Sequence, residues 1–205
     1  MNQEIVASNI DEYIRFVKID VRTSLGADFK MWEYHLAVYN MNERKQTTGE
    51  DEIPIEVCKL IPSEKLKDAI LTMINNNPKN GSTPQGTKSA LIAYLHKKGD
   101  TNITDNYRTL SLLSHLGKIQ ERMILRRLDE FAEETNAYGK TQQGFRHGRG
   151  CADAALMMNR LDHLALENGV EIFKIFVDNT KAYDMVNSEV SWMVNREKGI
   201  TDESY

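Results

Sequence analysis

The run EIFKIFVD at residues 171–178 constrains the fold of this chain more than any other stretch. It is dense in β-branched and aromatic side chains and is followed at once by the polar DNTKAYD. The pattern predicts a buried strand whose last residue is Asp178. A second short apolar run, KSALIAYL at 88–95, lies between the loop-like PKNGSTPQG at 78–86 and the turn-like HKKGD. It also suits a strand.

The other periodic segments are helical. Ile10, Tyr13, Ile14 and Val17 predict a surface helix over about 4–19, and residues 20–40 show no clear pattern. Residues 41–52 (MNERKQTTGEDE) read as a polar connection. Ser63 is placed to cap a helix with Leu66, Ile70 and Ile74 on one face, ended by the NNNP at 75–78. From Ser114, the residues Leu116, Ile119, Met123, Leu128 and Phe131 recur at helical period. Arg122, Arg126 and Arg127 lie off that stripe and are expected on a solvated face. A further helix is expected from Asp153 to about Glu167, and a short one through Val190, Met193, Val194 and Glu197, stopped by Gly199. The chain thus mixes strands and helices.

Composition bounds the function classes. The 205 residues are 40% hydrophobic and 27% charged, which excludes a disordered tail. The net charge of −4 gives no whole-chain attraction for a polyanion. The basic groups are unevenly placed, however: residues 88–160 hold 12 basic against 8 acidic side chains, whereas 161–205 hold 4 against 9. Cys58 and Cys151 make neither a disulfide framework nor a zinc cage, so a reduced, intracellular chain is expected, nucleus and cytoplasm not being distinguished. The first residues lack signal-peptide character and no apolar run reaches membrane-spanning length, so no membrane role is expected. His35, His96, His115, His147 and His163 show no ligand spacing.

Two places could carry chemistry. An aspartate at the carboxyl end of a strand is held rigidly, and magnesium takes hard oxygen ligands of that kind. Phosphoryl transfer often uses two such ions about 3.5–4 Å apart. Asp178 could supply one carboxylate and the Asn179 carbonyl a second oxygen, and one carboxylate cannot hold both ions. Capping of the following turn is the simpler alternative for Asp178. The stretch GKTQQGFRHGRG at 139–150 has four glycines and three basic side chains. It is either an ordinary flexible loop or one whose backbone approaches a nucleic-acid strand while arginines meet phosphates.

The order of motifs decides between these readings. FVDNTKAYDMVN at 176–187 resembles the first catalytic motif of non-LTR retrotransposon reverse transcriptases, F-x-D-x-x-x-A-[FY]-D-x-V-N. Residues 91–125, LIAYLHKKGDTNITDNYRTLSLLSHLGKIQERMIL, resemble that family's fingers block. QQGFRHGRG at 142–150 is similar to Q-x-G-F-R-x-G-R-[GS], and Gly49–Pro54 sits where a GPDGIP-type start is expected. Thr109 departs from the family's usual proline, Tyr183 from its commoner Phe, and His147 from its commoner Lys.

The resemblance implies an α+β fold and specific roles. Asp178 would be the first catalytic, metal-binding aspartate of the palm, with Asn179 beside it. Tyr183 would pack under the incoming sugar and disfavour a 2′-hydroxyl. Arg108 would clamp the triphosphate, with Lys97 and Lys98 adding charge. Gly144, Arg146, Gly148 and Arg149 would contact template and primer. The implied cofactor is Mg2+, two ions in the complete enzyme, and the implied partners are an RNA template, a DNA primer and a deoxynucleoside triphosphate. The expected organisation is an N-terminal helical or linker segment, 1–46, then a partial reverse transcriptase domain, 47–205, with fingers and the first part of the palm. No Tyr-x-Asp-Asp occurs in these residues, so the domain is expected to be truncated before that motif and inactive alone. The alternative expectation is a non-catalytic nucleic-acid-binding remnant.

Overall fold

A computed structural model of the chain describes residues 25–42, 47–80, 84–179, 182–183 and 185–200. The helix expected over 4–19 lies outside them. The described chain forms two compact units that divide between Leu128 and Asp129.

The first unit contains α1 (Met31–Tyr39), α2 (Ile55–Leu60), α3 (Glu64–Asn80), a one-turn α4 (Gln85–Lys88), strands β1 (Ala90–His96) and β2 (Tyr107–Leu113), and most of α5 (His115–Glu134). Its core joins Phe29, Tyr34, Ala37, Val38 and Met41 to Ile55, Cys58, Ile74, Ile119 and Met123. Apolar stripes on α3 and α5 therefore meet as their spacing predicts, with Ile70 and Leu116 packed at the margin. Leu66, expected on the same face, is exposed.

Ser63 does cap α3, its Oγ accepting from Leu66 N at 3.4 Å. The helix runs two residues past Pro78 instead of ending there. Pro78 lies in the final turn, where its missing N–H removes one ladder bond near the end of the helix. Part of the expected 78–86 loop is accordingly helical, at its beginning and again in α4.

Residues 20–40 had no readable pattern, yet α1 is central to the first unit. MWEYHLAVY is apolar over most of its circumference and shows no amphipathic signal. Its one internal acid is buried. Glu33 makes a fork with Arg127, Nε to Oε1 at 2.7 Å and Nη2 to Oε2 at 2.8 Å. The remaining Arg127 N–H groups reach the carbonyls of Ala27 (2.5 Å), Asp28 (3.2 Å) and Leu25 (3.5 Å). Its guanidinium lies 4.0 Å from the Phe29 ring centroid. All five donors of the arginine thus find acceptors. The expected solvated arginine face of α5 is corrected at Arg127, which is buried; Arg126 is half-buried, 4.9 Å over Trp32, and Arg122 is exposed as expected, donating to the Asn40 carbonyl at 3.2 Å. A charge off an apolar stripe faced a partner that the sequence did not announce.

Strands β1 and β2 pair antiparallel, with Ala90 opposite Leu113, Leu95 opposite Arg108 and His96 opposite Tyr107. The Gly49–Pro54 stretch docks where β2 meets α5. A Cβ on Gly49 would sit 2.6 Å from Ser114 N, so only glycine fits there. Nearby, the buried His115 Nδ1 lies 2.8 Å from the Ile53 carbonyl.

The second unit holds the end of α5, the 139–150 loop, α6 (Cys151–Asn168) and α7 (Ser188–Glu197). Gly169 (φ 65°) closes α6, and Asn187 caps α7 by accepting from Glu189 N and Val190 N. Gly199 (φ 95°) follows the C-cap of α7, as expected of a stop.

The buried strand expected at 171–178 does not form: residues 171–179 have no regular structure, and Phe173, Ile175, Phe176 and Val177 are all more than four-fifths exposed. A strand exists only through pairing, and among the described residues the sheet is the β1–β2 pair alone. The run's hydrophobicity was legible, but hydrophobicity does not supply a neighbour.

Two stability outcomes follow. Glu33→Ala leaves Arg127 buried without its carboxylate and should destabilise the first unit by about 3–5 kcal/mol in urea unfolding. Tyr34 is 1% exposed and its hydroxyl has no hydrogen-bond partner among the described residues. Burial, with a smaller contribution from Cys58, pushes its phenol up to about 12. Tyr34→Phe removes an unpaired polar atom and should raise stability by about 1 kcal/mol in the same assay.

Candidate nucleotide and nucleic-acid site

The first group of candidate residues is built by the β1–β2 hairpin. The ladder continues past β1 through a 2.8 Å bond from Lys97 N to the Asn106 carbonyl. The turn is then held from within: Asn106 Nδ2 donates to the Asp100 carbonyl at 2.8 Å, Tyr107 Oη to the Thr101 carbonyl at 3.0 Å, and Asn102 N to Asp100 Oδ1 at 2.8 Å. Gly99 takes φ 89° against the Asn106 amide, where a Cβ would come within 2.7 Å. Asn106 and Asp100 are therefore the residues that shape this tip. Their side chains echo the turn chemistry of Asn and Asp, a signal present in the sequence.

Arg108 pairs with Leu95, and strand alternation places Lys97 on the same face as Leu95. Arg108, Lys97 and Lys98 are all exposed. The hairpin thus presents three cations at one end, two of them on one face, with no buried acid among them. A planar guanidinium beside lysine ammoniums suits the oxygens of a polyphosphate.

The second group lies in the second unit. In the glycine-rich loop, Gly148 has φ 68° and Phe145, unusually for an aromatic, φ 59°. Arg146 is engaged. Its Nε and Nη2 fork onto Glu133 at 2.8 and 2.5 Å, its Nη1 donates to the Gly139 carbonyl at 3.3 Å, and its guanidinium stands 5.1 Å from the Tyr138 ring centroid. Tyr138 in turn donates to Asp129 at 2.5 Å. Burial and then that hydrogen bond push the Tyr138 phenol up to about 12, so it remains a neutral donor. Arg149 is exposed and makes a long bond, 3.4 Å, to the Lys140 carbonyl. Gly144 is exposed, with open space where a Cβ would stand.

Asp178 and Asn179 are exposed at the end of the irregular 171–179 stretch, and Tyr183 is 79% exposed in the turn beyond. Lys174, four residues before Asp178, is tied to α6 by an ion pair with Asp162 at 2.5 Å. Among the described residues no three His, Cys, Asp or Glu side chains converge as a metal site. One carboxylate and one carbonyl fall short of the oxygen set magnesium takes. Asp178 is a candidate ligand and not, with these neighbours, a metal centre. Among the described residues no helix is long and apolar enough to cross a membrane.

The structure therefore brings together Lys97, Lys98 and Arg108, and separately Gly144, Arg146, Gly148 and Arg149. Glu133 and Tyr138, which hold Arg146, were not visible as site residues in the sequence. They lie 13 and 8 positions upstream, beyond any local motif.

Comparison with known proteins finds the family that the motifs resemble. Residues 95–196 match the model of the family described as reverse transcriptase (RNA-dependent DNA polymerase). The chain is similar to the RNA-directed DNA polymerase from mobile element jockey of Drosophila melanogaster, 36% identical over 144 residues, which is 69% of this chain and 16% of that protein. The jockey polymerase of Drosophila funebris is 32% identical over 143 residues, again 69% and 16%. The probable RNA-directed DNA polymerase from transposon BS of Drosophila melanogaster is 31% identical over 104 residues, 50% and 12%. The chain thus spans about a sixth of the length of the two jockey proteins.

The Glu133 fork makes a pH-dependent contribution. The hydrogen bond from Arg146 holds the Glu133 carboxyl below its usual value of 4.5, with the charges of Arg146 and Arg149 adding to the effect. A depressed carboxyl stabilises the folded form above its unfolded pKa, and that contribution fades as pH falls through the folded value. Corrected for the intrinsic pH dependence of amide exchange, the protection of residues 144–150 should therefore fall on acidification from neutrality to below about pH 4.5, and Glu133→Gln should abolish that fall.

Proposed function

Because this chain belongs through residues 95–196 to the reverse transcriptase family, we propose that it is the fingers and first palm part of a non-LTR retrotransposon RNA-directed DNA polymerase. The observation that carries the reading is one continuous family match, from the last residues of β1, through the glycine-rich loop and Asp178, into α7. On this reading the polymerase domain spans 47–205 and the segment 1–46 precedes it, residues 29–41 of that segment lending side chains to the first unit's core.

In the complete polymerase, the primer 3′-hydroxyl attacks the α-phosphate of a deoxynucleoside triphosphate, forming the new ester as pyrophosphate leaves. Arg108 forks onto the triphosphate, and Lys97 and Lys98 add positive charge beside it. Tyr183 lies under the sugar and disfavours a 2′-hydroxyl. The loop with Gly144, Arg146, Gly148 and Arg149 lies along template and primer, where glycine backbone permits close approach and contact is independent of sequence. Asp178 and the Asn179 carbonyl are proposed as part of a divalent-metal site, with the remaining oxygens supplied by other residues. Bound magnesium would supply charge neutralisation on the phosphate oxygens.

The test is primer extension on an RNA template with magnesium. The 205-residue chain, with Asp178 as the one candidate catalytic carboxylate among the described residues, should give no extension; measurable extension would overturn the reading of it as the fingers and first palm part. In a polymerase extended through a Tyr-x-Asp-Asp segment, Asp178→Ala should abolish extension. Arg108→Gln should raise the apparent KM for the triphosphate by about 10-fold or more, the scale of a lost charge-assisted bond of about 1.5–3 kcal/mol.

That no group of three metal-ligating side chains converges among the described residues also supports a second reading, a non-catalytic nucleic-acid binder that uses the basic 88–160 stretch. It requires RNA affinity that falls steeply with salt and is indifferent to Asp178→Ala.

A further inference from the structure

Resting on the reading that the glycine-rich loop lies along template and primer, we infer that its two arginines divide the work: Arg146 is the loop's positioning residue, and Arg149 is the one that meets phosphate. The motif QQGFRHGRG offers both as equivalent cations, but the structure treats them differently. Arg146 has an 8% exposed side chain and spends its flat, bidentate edge on Glu133. A third N–H goes to the Gly139 carbonyl, at the start of the same loop, and one face rests on Tyr138. Tyr138 is fixed by Asp129 on α5. The chain Asp129–Tyr138–Arg146–Glu133 thus staples the middle of the loop to the end of a helix.

The backbone shows what the staple holds. Phe145, directly before Arg146, takes a left-handed conformation that a bulky L-residue rarely adopts, and Gly148 follows with φ 68°. Such a conformation persists where surrounding contacts over-determine it. The Arg146 fork is adjacent to the strained residue and is built of charge-assisted bonds, the strong kind. A phosphate arriving at Arg146 would have to displace Glu133 and release that turn. Arg149 carries no comparable burden: exposed, with a 3.4 Å bond to the Lys140 carbonyl, it can exchange that bond for a phosphate oxygen while the loop stays in place.

The experiment measures binding of a short RNA–DNA hybrid duplex to the 205-residue chain across a range of salt, for the unmodified protein and Arg146→Lys, Arg146→Gln, Glu133→Gln and Arg149→Gln. Amide exchange over residues 144–150 is read without nucleic acid. Arg149→Gln is expected to lower the salt slope by about 0.9, one phosphate contact. The Arg146 and Glu133 variants are expected to keep the unmodified slope and to weaken binding about two- to fivefold, the range for an ion pair near the surface. Their loop amides should exchange faster. Arg146→Lys is the informative variant, since a lysine can hold a phosphate but cannot reproduce the fork on Glu133. Tighter binding by Glu133→Gln, a lost phosphate in Arg146→Gln, or unchanged loop exchange in Arg146→Lys would each overturn the positioning role. No binding by the unmodified chain, or an unchanged slope in Arg149→Gln, would instead overturn the reading that this loop touches nucleic acid.

Discussion

The first unit depends on one buried ion pair. Arg127 and Glu33, with side chains 6% and 4% exposed, are 94 residues apart in sequence and joined by a fork. Burying two charges is expensive unless every donor and lone pair is used, and here the surplus donors are consumed by carbonyls of the segment leading into α1. Glu33 also accepts from Lys30 N at 2.8 Å, at the first turn of its own helix. The same two side chains therefore cap α1, dock it on α5 and fix the path of residues 25–29. The apolar core supplies most of the favourable free energy, and the ion pair specifies which helix lies there.

How much of this was legible depends on the kind of information each element needs. Periodicity identified α5 and most of α3, because their stripes face a core whichever helix covers them. The β1–β2 hairpin was half legible: one strand read as such, and the HKKGD turn marked its end. Helix α1 was invisible because an element apolar on nearly all sides has no period to detect. The 171–178 run failed in the opposite sense. Its composition satisfied every local criterion for a strand, but a strand is defined by its neighbour, and no pairing reaches it among the described residues.

The candidate site shows the same division. Residue types announced the site: a basic turn, a glycine-rich loop with arginines, an aspartate after an apolar run. Their states did not follow from type. Arg127 looked like solvated charge and is buried, while Arg146 looked like a free phosphate ligand and is committed to Glu133. In both cases the deciding partner is an acid on another segment, at a distance in sequence that no motif spans. Local pattern tells what chemistry a side chain can do, and long-range packing determines whether it is at liberty to do it.

Gly49 gives this architecture a historical use. Its α-carbon lies so near the backbone of Leu113 and Ser114 that the demand for glycine comes from space and not from a dihedral angle, and no rotamer adjustment can relieve it. Every other residue at that position must push apart two stretches of main chain at the junction of strand and helix. In a lineage of gene copies, a position of this kind separates drift from selection. Copies no longer held to a folded product would accumulate other residues there as freely as at a solvated site, whereas copies whose product must fold would keep glycine long after their surfaces have diverged.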